Sequence, residues 1–167
     1  MNDWGRSGFQ SSRRLLVASF VFALLLAALP LSKQYFFWLP DWVGMVLLFW
    51  VIQRPSDINL GAAFGVGLLL DILINAPLGA HALAYLCSTF VVWQRRRQIA
   101  AYGFGMQAAV VAAALLLGQI VLALIWAYLA RSFVGWHIVW PPLGAALLWP
   151  LLNKLMLHLS SLRWRRS

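Results

Sequence analysis

Long apolar runs dominate this chain of 167 residues and constrain its fold more than any other feature. Six runs of 15 to 27 residues are separated by short polar or basic segments. A helix needs about 20 apolar residues to cross the hydrocarbon core of a bilayer. The chain therefore has room for six or so membrane-spanning helices with short connections, and for no separate soluble domain.

The composition agrees with this interpretation. Hydrophobic residues make up 63% of the chain and charged residues only 10%, whereas a water-soluble domain carries about 25% charged residues. We therefore predict an all-α integral membrane protein with one domain over residues 1–167. Its six spans are predicted at about 15–31, 36–52, 60–74, 78–93, 104–130 and 138–159.

Two of these spans leave alternatives open. The apolar run at 15–31 follows a basic segment, as in a signal peptide, but its exit is a poor cleavage site, so we favour a retained helix. The second span is interrupted by Pro40 and Asp41. It either begins before Pro40 and kinks there, or it is a short helix of about 18 Å from Asp41 to Ile52.

The distribution of basic residues predicts the orientation. Ten of the 13 Lys and Arg residues lie in alternate connections that share one side, whereas Lys33 and Arg131 lie on the other side. Because basic connections stay in the cytoplasm, both termini are expected to be cytoplasmic. The net charge of +9 is explained by these clusters, so we expect no nucleic-acid partner.

Little in the sequence supports catalysis. The chain has four aspartates and no glutamate, its single cysteine is Cys87, and the motifs GxxxxGK[ST], GxSxG and HExxH are absent. Acid/base and metal chemistry need several such groups within reach of one another. We therefore predict no catalytic, cofactor-binding or metal-binding residue, and no cofactor.

Asp71 is the strongest single signal because it lies inside an apolar run, and an acid within a membrane span is a functional candidate by default. A tight turn at residues 75–77 brings it near His81 and the start of the fourth span. Two readings stay open. Asp71 either accepts hydrogen bonds from that helix start or from His81 and locks the hairpin, or it forms a polar site for a partner helix or ligand.

Small residues mark the third span. Gly61 and Gly65 have the GxxxG spacing that allows another helix to approach closely, and Gly67 follows. The helix that packs there belongs either to this chain or to a partner, and we expect internal packing. Asp41, after Pro40, is predicted to cap a helix. Pro150, after Trp149, is predicted to kink the sixth span, either as an architectural bend or as a place for another helix or lipid.

Several of these segments resemble the bacterial rod shape-determining protein family MreD. They are LPDW at 39–42, the run from Gly61 to Asp71, PLGAHAL at 77–83 with Gly79 and His81, and LWP at 148–150 before a basic tail. The family often has Asn where Asp41 stands. The resemblance covers most of the chain.

The resemblance implies a non-enzymatic, multi-pass protein of the bacterial inner membrane that takes part in cell elongation. It implies MreC as a direct partner, and MreB, a SEDS glycosyltransferase and the elongation-specific penicillin-binding transpeptidase as partners in lateral peptidoglycan synthesis. The family fold is also similar to that of the S components of ECF vitamin transporters. A small-solute or lipid-binding protein is therefore the alternative, and a membrane enzyme is the weakest hypothesis.

Overall fold

The computed structural model describes residues 4–29, 40–54, 57–130 and 136–164. Within these ranges the chain forms six α-helices and no strand, which confirms the predicted all-α architecture. The helices are α1 (Trp4–Ala27), α2 (Trp42–Gln53), α3 (Leu60–Leu73), α4 (Ala80–Ala101), α5 (Phe104–Ala130) and α6 (Trp140–Trp164). A short 3-10 helix at Trp136–Val139 directly precedes α6.

Helix α2 is short, and it begins after the interruption that the sequence shows. Asp41 is its N-cap, and the Asp41 carboxylate accepts a hydrogen bond of 2.8 Å from the backbone N–H of Gly44. A helix thus begins at Trp42, directly after Pro40 and Asp41. Residues 30–39, which include the predicted end of span 1 and the predicted start of span 2, lie outside the described residues, so the part of span 2 before Pro40 stays a prediction.

Helix α4 extends further than the predicted span 78–93, because it continues through the basic run to Ala101. The connection between the predicted spans 78–93 and 104–130 is reduced to Tyr102 and Gly103. Gln and Arg are good helix formers. The basic run therefore lies within α4, which ends four residues later at Ala101. Helices α1 and α6 are also longer than predicted, since α1 already begins at Trp4 and α6 continues to Trp164.

The core forms around α2, in which every residue from Val43 to Ile52 is buried. Helix α2 packs against α1 and α4 and also contacts α5 and α6, while α4 lies between α3 and α5. A helix that is apolar on all sides belongs inside a bundle. One polar link joins this core to α1, because the indole N–H of Trp50 donates a hydrogen bond of 2.9 Å to the Ser19 hydroxyl.

Apolar side chains cover much of the outer surface. Among the described residues one helical stretch, Phe104–Leu129 of α5, is both long and apolar enough to cross a membrane, and only 28% of its most apolar window is buried. Helices α2 and α3 are apolar but shorter. Exposed apolar area on this scale is rare on soluble monomers, so the surface is that of a protein surrounded by lipid or by other helices.

Candidate functional site

Asp71 lies at the α3–α4 hairpin and is completely buried. Its Oδ2 accepts a hydrogen bond of 2.9 Å from the backbone N–H of Gly79, and its Oδ1 accepts one of 3.0 Å from the backbone N–H of His81. The Nδ1 atom of the His81 ring lies 2.7 Å from the same Oδ1. We call Asp71, Gly79 and His81 the hairpin clamp. Both donors considered from the sequence, the helix start and His81, contact this carboxylate.

The backbone of the hairpin is closed by a second set of bonds. The N–H of Ala76 donates to the carbonyl of Asp71 over 2.9 Å, and the N–H of Asn75 donates to the carbonyl of Ile72 over 3.4 Å. Asn75 has a positive φ of 53°. This is the arrangement of a Schellman motif, in which Asn is the usual substitute for Gly. Asp71 therefore holds the turn through both its carbonyl and its side chain.

Two glycines allow the clamp to form. A Cβ atom on Gly67 would lie 2.4 Å from the Cα atom of Ala82, so α3 and α4 approach each other at this point as closely as their backbones permit. Gly79 has a φ of +94°, which residues with a side chain rarely adopt. Gly79 is the residue directly before α4, and its N–H donates the hydrogen bond to Oδ2 of Asp71.

Tyr85 connects the hairpin to the start of α2. It lies one turn after His81 on α4, and the two rings meet edge to face with their centroids 6.1 Å apart. The Tyr85 hydroxyl donates a hydrogen bond of 2.7 Å to Oδ1 of Asp41. The two aspartates singled out in the sequence are thus joined across α4 through His81 and Tyr85.

Known proteins give a clear family assignment. The family model for the rod shape-determining protein MreD matches residues 10–159. This chain belongs to the MreD family. It is similar to the rod shape-determining protein MreD of Haemophilus influenzae, with 26% identity over 141 residues that cover 84% of this chain and 87% of that protein. No solved structure matches the chain.

In this MreD family member, the expected internal packing of Gly61 and Gly65 is wrong. Both residues are exposed, and a Cβ atom on Gly65 would meet no other atom within 4 Å. The face of α3 that points inwards instead carries Ala63, Gly67 and Asp71. These positions lie on the side of the helix opposite Gly61 and Gly65, so burial of Asp71 turns the GxxxG pair outwards.

The remaining predicted residues lie away from the hairpin clamp. Pro40 packs beside Gly144 of α6, where a Cβ atom on the glycine would be 3.3 Å from Cβ of Pro40. Trp149 is 1% exposed, and its ring centroid lies 6.5 Å from that of Phe49 in α2. Pro150 lies inside α6 and is half-buried. These three residues belong to the packing of α6.

A second polar cluster was missed in the sequence. The Asn153 amide in α6 donates a hydrogen bond of 2.9 Å to Gln107 in α5. The Gln107 amide in turn donates to the carbonyl of Tyr102 over 3.1 Å, in the turn after α4. Both amide side chains are buried. Since Gln107 and Asn153 are 46 positions apart, no local pattern marks them as partners.

In both clusters the polar groups form hydrogen bonds with one another, which is the geometry of a structural link between helices. In the described ranges no group of three or more His, Cys, Asp or Glu residues could hold a metal ion. The Asp71 carboxylate is occupied by three donors from its own hairpin. This arrangement holds the two apolar helices α3 and α4 at a fixed distance and angle.

Proposed function

We propose that this chain is a non-enzymatic component of the bacterial rod complex in the inner membrane, where it binds MreC and helps direct lateral peptidoglycan synthesis. The observation that carries the proposal is the match to MreD over residues 10–159, which is nearly the whole chain. The biological process in the proposal, the determination of rod shape, comes from the description of this family. The proposed mechanism is association through helix surfaces, with no bond chemistry.

The proposal includes six membrane passes with both termini in the cytoplasm. The positions of the basic residues support this orientation, because Arg95, Arg96 and Arg97 lie in the C-terminal third of α4, before the turn into α5. Helix α2 has 12 residues and α3 has 14, which gives lengths of about 18 and 21 Å. Spans this short thin the bilayer locally or draw neighbouring helices around them.

The hairpin clamp gives the scaffold its fixed shape. Leu69, Ile72 and Leu78 are exposed on the outside of the hairpin, while Asp71 and Gly67 hold it from the inside. Because the clamp fixes the angle between α3 and α4, it also fixes where these apolar side chains point. We propose that MreC packs against helix surfaces positioned in this way. MreB, the SEDS glycosyltransferase and the penicillin-binding transpeptidase complete the assembly, which membrane lipids surround.

The alternative function is the binding of a small solute or lipid, as expected for a protein with a fold like that of the S components. The polar cavity between α2, α4 and α5 has a volume of about 10 Å³, which is room for about one water molecule. A vitamin-sized ligand needs a site of roughly 300 Å³ or more. This cavity therefore gives the alternative no support, and we retain the scaffold.

Co-purification of MreC tests the proposal. The tagged chain is extracted from native membranes in a mild detergent, with a tagged six-span transporter of similar abundance as the control. We expect MreC to be recovered with the tagged chain and not with the control. Native mass spectrometry of the same sample detects any bound small solute.

Recovery of the chain without MreC, in a detergent in which its helices stay folded, would contradict the scaffold. A bound vitamin or lipid intermediate, found in a sample without MreC, would favour the solute- or lipid-binding function.

A further inference from the structure

Gln119 is a polar exception in the long apolar helix α5. It lies about 22 Å from the start of α5 at 1.5 Å per residue, with apolar residues and Gly118 around it in sequence. Its amide makes no hydrogen bond to any described residue, whereas Gln107 on the same helix is fully engaged. Gln119 is half-buried, and an amide without a partner in hydrocarbon is strongly unfavourable. Gln119 therefore needs a partner that is not a side chain of the described protein.

A small cavity lies beside Gln119. It lies between α4, α5 and the start of α2, is partly open to the outside, and has a polar lining of Asp41, His81, Tyr85, Ser88 and Gln119. Its volume is about 10 Å³. A buried water needs about this much room and between two and four polar partners. The cavity meets both conditions, and it is too small for an organic ligand.

We propose that one ordered water molecule occupies this cavity and bridges Gln119 to Asp41 and His81. His81 has the capacity for such a bond, because its Nδ1 contacts Asp71 and its Nε2 makes no hydrogen bond within the described ranges. Asp41 also has capacity, since the hydrogen bonds from Gly44 and Tyr85 both reach Oδ1, and a carboxylate has two acceptor oxygens. The water gives Gln119 the partner that the helices do not supply.

This water links α5 to the rest of the polar network. Asp71, His81, Tyr85 and Asp41 already join α3, α4 and α2 through direct contacts. Helix α5 contacts the same region through Gly118, whose Cβ position is only 2.5 Å from the Ser88 hydroxyl oxygen. With the bridging water, four helices meet at one hydrogen-bonded centre within an otherwise apolar bundle.

Water-edited NMR of the full chain in lipid nanodiscs tests this site. The experiment measures magnetisation transfer from water to the Gln119 side-chain amide and to the backbone amide of Ile120. Ile120 is the matched control because it lies at the same depth but is 44% exposed on the outer surface. We expect transfer to Gln119 to be several-fold faster than to Ile120. Equal, slow transfer to both would overturn the proposal.

A filling variant gives the second measurement. Ala84 lines the cavity and is 3% exposed, so Ala84→Val adds two methyl groups where the water is placed. We expect the fast transfer to Gln119 to be lost while transfer to Ile120 stays the same. Persistence of the fast transfer in a folded Ala84→Val protein would contradict the site. If the Ala84→Val variant does not fold, the comparison of water transfer to Gln119 and to Ile120 in the unaltered chain still tests the proposed water site.

Discussion

Asp71 holds His81 at two atoms, because one carboxylate oxygen lies 3.0 Å from the His81 backbone nitrogen and 2.7 Å from Nδ1 of the His81 ring. These two contacts fix both the backbone and the side-chain rotamer of His81. Oδ2 holds Gly79 in addition. A short turn with this many bonds to one buried acid makes the hairpin a rigid unit.

Removal of the Asp71 carboxylate is expected to destabilise the protein strongly. Asp71→Leu leaves the N–H groups of Gly79 and His81 without their acceptor, and each buried donor left unpaired costs about 1–3 kcal/mol. We expect a loss of about 3 kcal/mol or more, measured as a lower thermal unfolding midpoint in detergent. Asp71→Asn retains one acceptor oxygen and is expected to lose less. Equal midpoints for the Leu variant and the unaltered chain would contradict this role.

Two glycines on α3 are expected to respond oppositely to the same change. Gly67→Ala places a Cβ atom against the backbone of Ala82, and overpacking of this kind costs about 1–3 kcal/mol. Gly65→Ala adds the same atom in open space and gains up to about 1 kcal/mol of helix propensity. Thermal unfolding of the two variants side by side measures the difference. A fall in stability for Gly65→Ala equal to that for Gly67→Ala would show that the inner face of α3 is assigned wrongly.

Gly79 is expected to tolerate alanine poorly for a conformational reason. Its φ of +94° is a left-handed conformation although the space around it is open, and a side chain there costs about 1–2 kcal/mol. Gly105→Ala is the control, since Gly105 has the same open surroundings within regular helix α5. We expect the unfolding midpoint to fall for Gly79→Ala and to stay level or rise for the control, because alanine has the higher helix propensity. An unchanged midpoint for Gly79→Ala would mean that the hairpin relaxes around the new side chain.

Gln107 and Asn153 are expected to be energetically coupled. Gln107→Leu leaves the Asn153 Nδ2 donor without its acceptor, and Asn153→Leu leaves Oε1 of Gln107 without its donor, whereas the double variant removes both groups. Residues in one hydrogen-bond network show interaction energies of about 0.5–3 kcal/mol. A double-mutant cycle of unfolding free energies measures this coupling. Strict additivity of the two single effects would show that the bond contributes nothing.

Local features of this fold were predictable because they depend on short sequence separations. Asp71 and His81 are ten positions apart around a turn marked by Asn75 and Pro77, so their proximity follows from the hairpin itself. The cap formed by Asp41 is local in the same way, since its partner Gly44 is three positions away.

Long-range partners and helix orientation were not predictable on the same basis. Tyr85 lies 44 positions from Asp41, and its bond depends on how α4 packs against α2. The orientation of α3 could not be predicted either, because its own residues are apolar on every side and no polar face indicates which side points outwards. Gly61 and Gly65 matched a packing motif, yet the buried position of Asp71 determines which face points inwards.

Rod-shape complementation by the clamp variant tests the central claim most directly. Cells depleted of their own MreD receive the unaltered chain, Asp71→Leu or the control Gly65→Ala, and cell width is measured together with the amount of each protein in the membrane. The account predicts rods with the unaltered chain and with Gly65→Ala, and rounded cells with Asp71→Leu. Rods of normal width with Asp71→Leu at a normal membrane level would contradict it.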